Sequence, residues 1–257
     1  MMWFPQTSNG CLVQLPLRRR FLWRAITNNL ENGERISLPD NYGGRVEWKL
    51  AYQELSAAEA TTLNQFFRDS RGTFGTFAFV DPTANLLGWS EDLSKPDWQR
   101  GLLSTAPSQP GPDSTLTATR IGNPVGAPQQ LTQTVALPGE YTTCFSAWLR
   151  SDAPGAVTLS RGSAAQTAVT TPIWRRHYLT ASVTGEDNAP FGIEIQPGHA
   201  VDVYGLQAEC GPYPAQYRPT APPAGIYDRT SFANDELAIT ATGFELFAAE
   251  FTLISRL

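Results

Sequence analysis

Residues 73–98 read TFGTFAFVDPTANLLGWSEDLSKPDW, and the texture of the chain changes within them. Before Asp81-Pro82, Phe74, Phe77 and Phe79 stand in a short run with Gly72 and Gly75, the pattern of a buried strand entered through a tight turn. After Asn85, long Ser/Thr/Pro/Gly-rich connections separate short alternating runs, as in an all-β sandwich. One unit therefore ends near Asp81-Pro82 and a second begins near Asn85.

A length of 257 residues suits two units of ordinary size. A hydrophobic fraction of 41% and a charged fraction of 17% describe a folded chain, and 20 Pro with 21 Gly imply many turns and few long helices. The net charge of −5 gives no support to nucleic-acid binding, and residues 86–217, with seven basic against eleven acidic side chains, carry −4 of it. Cys11, Cys144 and Cys210 are an odd number at no metal-like spacing, so free buried thiols are expected and neither a disulfide framework nor a zinc site. MMWFPQTSNG lacks the charged and apolar regions of a signal peptide, and no run approaches ~20 apolar residues. Synthesis and retention in the cytoplasm, without membrane insertion, is the expectation.

In the first unit, Cys11 to Leu17 and Phe21 to Ile26 read as two strands around a basic turn, Arg18-Arg19-Arg20, and Asn32-Gly33 marks a hairpin. The triplet reads as a solvated loop, with a contact for an acidic neighbour or for nucleic acid as the alternatives. Val46, Trp48, Leu50 and Tyr52 alternate with Arg45, Glu47, Lys49 and Ala51, the pattern of a half-buried strand. Ser56-Ala57-Ala58-Glu59 matches a capping box, and Ala60, Leu63, Phe66 and Phe67 follow at helical spacing up to Gly72. A helix over about 57–69 packed on the sheet is predicted. Leu237 to Thr240 and Phe244 to Leu253 read as two strands around Thr242-Gly243, and they need a partner sheet.

The order of WKLAYQEL, SAAEATTLNQFF and RGTFGTFAFVDP over residues 3–84 resembles the N-terminal module of bacteriophage distal tail proteins and related minor tail proteins. The resemblance implies a β-sandwich with one helix that assembles into a ring, commonly hexameric, continuing the tail tube. It also implies that Arg18, Arg19 and Arg20 serve as subunit contacts. The C-terminal strands then return to this unit, which makes the domains 1–84 with 221–257, and 85–220 inserted between them.

Within the insert the runs are 131–135, 141–150, 156–160, 173–183, 191–195 and 201–209, each bounded by turn residues. NLLGWSEDLSKPDW, YTTCFSAWLR and VDVYGLQAECGPYPAQYRPT, in that order, are similar to jelly-roll modules of the carbohydrate-binding kind found in phage tail and fibre proteins. Such modules stack sugar rings on aromatic faces and hydrogen-bond hydroxyls with polar side chains, so the resemblance implies a glycan site. Trp174, Tyr178 and Arg176, which share one strand face, and Trp98 are the candidate glycan-binding residues. Trp148 and Tyr204 lie inside the motifs and read as core. Related modules hold a structural calcium, but Glu91, Asp113 and Glu209 do not follow a calcium-loop spacing.

His177 and His199 belong to no catalytic motif, and the chain has no nucleophile elbow, P-loop or zincin signature. Glu194 and Asp202 could be placed on neighbouring strands facing one cavity as a carboxylate pair for glycoside hydrolysis, but nothing in their spacing requires it, and among 24 acids some such pair can always be found. The fold expected is mainly β: a β-sandwich tail-tip domain with one short helix and an inserted antiparallel jelly-roll sandwich. The function expected is a structural, non-enzymatic virion subunit without cofactor or metal. It would sit in a tail-tip or baseplate ring, without binding nucleic acid, contacting tail tube and hub or fibre proteins and displaying the jelly roll to host polysaccharide. A purely architectural role for the jelly roll and a glycan hydrolase are the alternatives.

Overall fold

The computed structural model describes residues 1–40, 42–185 and 188–257. The strands of the first unit are β1 (Arg18–Leu22), β2 (Ala25–Asn29), β3 (Arg35–Pro39), β4 (Arg45–Ser56) and β5 (Phe77–Val80), with helix α1 (Ala57–Ser70) between the last two. Then come β6 (Ser104–Gln109), β7 (Ala118–Gly122), β8 (Gln129–Val135), β9 (Thr143–Arg150), β10 (Gly155–Arg161), β11 (Ala164–Thr170), β12 (Arg175–Ala181), β13 (Ala189–Ile195) and β14 (Ala200–Cys210). The chain closes with β15 (Ile226–Phe232), β16 (Ile239–Gly243) and β17 (Leu246–Arg256). The molecule is mainly β, and all its strand ladders are antiparallel.

Two compact units result. Unit 1 comprises Met1–Ser8, Leu12–Val80 and Ile226–Leu257, and unit 2 comprises Asn9–Cys11 and Asp81–Gly225. Unit 2 is thus wider at both ends than the 85–220 segment marked by composition.

In unit 1 the sheet order is β1-β4-β17-β15-β5, with β16 on β17. β4 alternates as the sequence requires: Val46, Trp48, Leu50 and Tyr52 are buried, with their neighbours turned away. β17 pairs with β4 from Leu246↔Ser56 to Arg256↔Arg45, the longest ladder in the unit. Against the buried face lies α1. Ser56 accepts from the Glu59 amide while the Glu59 carboxylate accepts from the Ser56 amide at 2.8 Å, which completes the capping box. At the other end the left-handed cap is Arg71, φ 55°, one residue earlier than the glycine that the sequence suggested. The core is aromatic. Phe4, Phe66, Phe77, Phe232 and Phe251 form a chain of ring contacts with centroids 4.8–6.1 Å apart.

Three local expectations need correction. Residues 11–17 form no strand, and the arginine triplet is not a turn but the start of β1, an edge strand paired with β4 through Arg18↔Lys49. Phe74 lies outside the buried strand and is 81% exposed. Unit 1 covers its sheet with a helix and N-terminal residues, while its second sheet is only the β2–β3 hairpin.

Unit 2 is a two-sheet sandwich. One sheet runs β11-β10-β13-β8 and the other β12-β9-β14-β7-β6, so β12, β13 and β14 alternate between sheets. Leu131, Val157, Leu159, Phe191 and Ile193 from one sheet, and Ile121, Phe145, Leu149 and Val203 from the other, are buried in its core. β6, β7 and β11 escaped the sequence reading, because Ser, Thr, Pro and Ala dominate them and the apolar alternation is weak.

Candidate functional site

The outer face of the five-stranded sheet gathers the polar and aromatic side chains of unit 2. Along β9, Phe145, Ala147 and Leu149 point into the core, so Ser146, Trp148 and Arg150 point outward. β14 lies between β9 and β7, and the ladders place Asp202 opposite Arg150 on one side and opposite Arg120 on the other. Register alone therefore sets one carboxylate between two guanidinium groups.

The contacts follow that placement. Arg120 donates to Asp202 through Nε at 2.6 Å and Nη2 at 3.2 Å, and Arg150 through Nη2 at 2.7 Å and Nε at 3.1 Å. Arg120 Nη1 also reaches Asp152 at 3.0 Å. The Asp202 side chain is 0% exposed, whereas those of Arg120 and Arg150 are 35% and 26% exposed. Burial pushes the Asp202 carboxyl up, but the hydrogen bonds from Arg120 and Arg150 outweigh it and hold the group below the usual carboxylate range. The same bonds raise Arg120. The result is a fixed ion cluster whose basic edges reach solvent.

Aromatic groups border it. Trp174 stands one step before β12, whose first pair is Arg175↔Leu149, so it faces Arg150 across the strands, and the guanidinium lies 4.9 Å from the ring centroid. Trp174 is half-buried, and its indole N–H has no hydrogen-bond partner among the described residues. On the opposite flank Tyr204 donates to Asp113 at 3.0 Å, and burial followed by that bond pushes its hydroxyl up to about 12. Asp113 is in turn fixed by Thr115, whose hydroxyl bond leads in lowering its pKa. Tyr204 packs edge-on against Tyr217 at 5.2 Å. Trp148 and Tyr204 thus lie on the outer face and not between the sheets.

A strap formed by residues 211–220 covers the other end of this face. Ala215 N–H donates to Glu209 at 2.8 Å, and Arg218 N–H to Gln207 at 2.9 Å. Arg176 donates to the Ala215 carbonyl at 2.5 Å and to Ser146 at 2.9 Å, and burial lowers its pKa. Arg176 therefore anchors the strap, a correction to its assignment as a ligand group. Trp98 is corrected as well: it is 3% exposed and donates to the Trp89 carbonyl at 3.1 Å, which leaves no ring face for a sugar. Tyr178, 43% exposed, and Trp174 keep accessible surface. Arg18, Arg19 and Arg20 lie on the sheet edge of unit 1, where Arg20 pairs with Glu47 at 3.0 Å and Arg19 sits over Phe21 at 5.0 Å.

The carboxylate pair considered for hydrolysis is separated by the fold. Ile193 and Ile195 are core residues of β13, so Glu194 faces outward on the four-stranded sheet, where it accepts from Gln130 and Gln196. Asp202 faces outward on the other sheet, and the two cannot line one cavity. Burial, joined by Arg175, lowers His177, and burial lowers His199, which lies 3.3 Å from the Thr170 hydroxyl. Among the described residues no group of three or more His, Cys, Asp and Glu side chains could hold a metal ion. Cys144 and Cys210 are buried free thiols and Cys11 is half-buried. No helix of the described residues is long and apolar enough to cross a membrane.

Sequence reading named Asp202 but missed its partners. Arg150 was legible as an outward position in FSAWLR, while Arg120 lies in a strand whose pattern gave no signal.

No protein-family model matches the chain, and no curated protein matches it. Solved structures that are similar include the enzymatically active domain of tailspike protein 4 of bacteriophage CBA120, at 14% identity and a TM-score of 0.36, covering 51% of this chain and 21% of the tailspike domain. The CBM22-1 xylan-binding domain of Paenibacillus barcinonensis Xyn10C matches at 12% identity and a TM-score of 0.40, covering 51% of this chain and 97% of that one. TmCBM61 in complex with β-1,4-galactotriose matches at 14% identity and a TM-score of 0.36, covering 50% and 99%.

Proposed function

We propose that unit 2 is a glycan-binding module and that its ligand platform is the open end of the outer five-stranded face. The observation that carries this reading is the buried Asp202, which fixes Arg120 and Arg150 beside Trp174 while leaving their outer edges accessible. Ordered donors next to an aromatic ring suit a pyranose, whose apolar C–H face covers a ring while its hydroxyls take hydrogen bonds at the rim. Asp152, with its side chain 80% exposed, supplies an acceptor on the same edge. No part of this scheme needs turnover, a metal or a cofactor.

In the same reading the chain is a subunit of a phage tail tip or baseplate. Unit 1 assembles with copies of itself, as a hexamer, between tail tube and hub, and unit 2 faces host surface polysaccharide. Support comes from the sequence resemblance over residues 3–84 and from the return of β17 onto β4. Ring assembly multiplies a weak sugar contact by avidity, so single-site affinity in the millimolar range suffices.

A glycan array probed with the full chain tests the site. Binding that disappears in Trp174→Ala, with the melting transition retained, supports it. Failure of the wild-type chain to bind any glycan refutes it and leaves the architectural role. Electron microscopy of the purified protein tests assembly separately, and a monomer at every concentration sinks the ring.

A further inference from the structure

A second candidate site lies in unit 1, where Arg45, Arg229 and Arg256 line a cleft of about 390 Å³ with Thr73, Phe74 and Thr76. The sheet builds it. Arg45 and Arg256 are direct ladder partners at the ends of β4 and β17. Arg229 lies one step beyond the Thr230↔Ser255 pair of β15 and β17, so the three arginines form a row across three adjacent strands. Val46 and Ser255, one residue inward, are buried, which turns the row to the outer face, and all three arginines are exposed.

Like charges directly opposite one another on neighbouring strands destabilise a sheet. Three nearby carboxylates are committed elsewhere, and Asp228, beside Arg229 at the irregular step of β15, is exposed and, among the described residues, makes no ion pair with the three arginines. On this face Glu47 pairs with Arg20 at 3.0 Å and Glu250 with Lys49 at 2.6 Å. At the rim, Asp235 accepts both donors of Thr73. None of the three arginines has an ion pair among the described residues. The cleft is thus a concentration of uncompensated positive charge in a chain of net charge −5.

We infer that this cleft is a docking site for an acidic peptide segment of a partner protein. Its size falls within the range of ligand pockets, about 300–1,000 Å³, and far exceeds one phosphate. A strand spacing of about 4.8 Å sets the guanidinium groups in a line, and their long side chains can splay to meet the carboxylates that an extended segment presents on one face about every 6.7 Å. Three cations in an acidic protein are too few to hold a nucleic-acid backbone. The exposed ring of Phe74 gives the peptide an apolar contact at the rim. This site does not depend on the glycan reading of unit 2.

The test uses the full chain and a fluorescein-labelled acetyl-(Glu-Ser)₄-amide in 20 mM NaCl, read by anisotropy. Saturable binding is expected, weakened about tenfold or more in an Arg229→Gln/Arg256→Gln double variant and severalfold at 200 mM salt. Thermal unfolding gives the second readout: Arg256→Gln should melt at the same temperature as wild type or about 1–2 °C higher, because repulsion from Arg45 is relieved. Absence of binding overturns the proposal. So do equal or tighter binding of inorganic phosphate, an oligouronate or a thymidine octamer, retention of peptide binding by the double variant, and a lowered melting temperature for Arg256→Gln.

Discussion

Replacing Asp202 with Asn changes one atom in the centre of the ion cluster and tests whether that cluster organises the outer face. The carboxylate accepts four guanidinium N–H groups at 2.6, 2.7, 3.1 and 3.2 Å. Three of the four bonds go to Oδ2 and one to Oδ1, so asparagine, which keeps one acceptor oxygen and turns an NH₂ donor toward guanidinium donors, loses one bond in one amide orientation and three in the other. Bonds to charged groups contribute about 1.5–3 kcal/mol each, and breaking a fully buried pair costs about 3–5 kcal/mol. Here only the acid is fully buried. The arginine side chains, 35% and 26% exposed, can turn to water, which lowers the expected loss to about 2–3 kcal/mol. Hydrogen exchange of the β9 and β14 amides reads this loss within unit 2, independently of unit 1. The pH dependence gives the sign. Because the folded Asp202 pKa is depressed, its stabilisation is present above the ordinary carboxylate value and is lost as pH falls from about 4 toward the lower folded value. Asp202→Asn should be flatter than wild type in that window. A loss below about 0.5 kcal/mol, or parallel acid profiles for the two proteins, would refute the argument.

In unit 1, Phe77→Ala removes a ring that contacts Phe4, Phe66 and Phe232, and should cost about 3–5 kcal/mol by urea unfolding. Ser56→Ala breaks the capping box and should cost about 1 kcal/mol. Glu59, which burial would raise but bonds from Ser8 and Ser56 lower to about 2, stabilises the fold above its ordinary value. That contribution should fade between about pH 4.5 and 2, and Glu59→Gln should remove the fading, as acid titration of the helix signal will show. Replacing residues 81–225 with a four-residue Gly/Ser turn should leave the β4–β17 amides protected from exchange, because Val80 and Ile226 are already ladder partners.

The fold was legible wherever burial alternated with exposure. β4 and the Ser56–Glu59 cap announced themselves because one side of each element is apolar and the other polar. β6 and β11 did not, since most of their side chains are exposed and hydrogen bonding to one neighbouring strand suffices to hold them. The site was half legible for a different reason. The outward positions of Trp174, Arg176 and Tyr178 follow from strand alternation, but which of them meets solvent depends on the strap, which Arg176 grips through Ala215, 39 positions away in sequence. Trp98 shows the same limit: an aromatic residue in a loop signals neither exposure nor burial until its indole N–H finds its acceptor, here the Trp89 carbonyl. The pairing of Arg120 with Asp202, 82 positions apart, is a property of strand order and has no local signature.

Strand order also explains how unit 1 tolerates so long an interruption. β5 and β15 are neighbours in its sheet although the main body of unit 2 separates them in sequence. Closing a disordered loop of that length would cost roughly 4 kcal/mol in chain entropy. Unit 2 meets that cost within its own fold, because Asp81 N–H donates to the Gly225 carbonyl at 2.7 Å and its two ends leave side by side. The next residues outward, Val80 and Ile226, then pair without further search. Every ladder in unit 1 that joins residues before the insert to residues after it shares this closure term, β4 with β17 included. Loss of structure in unit 2 should therefore weaken those ladders together, while the β1–β4 ladder, which spans no insert, depends on unit 2 only through β4.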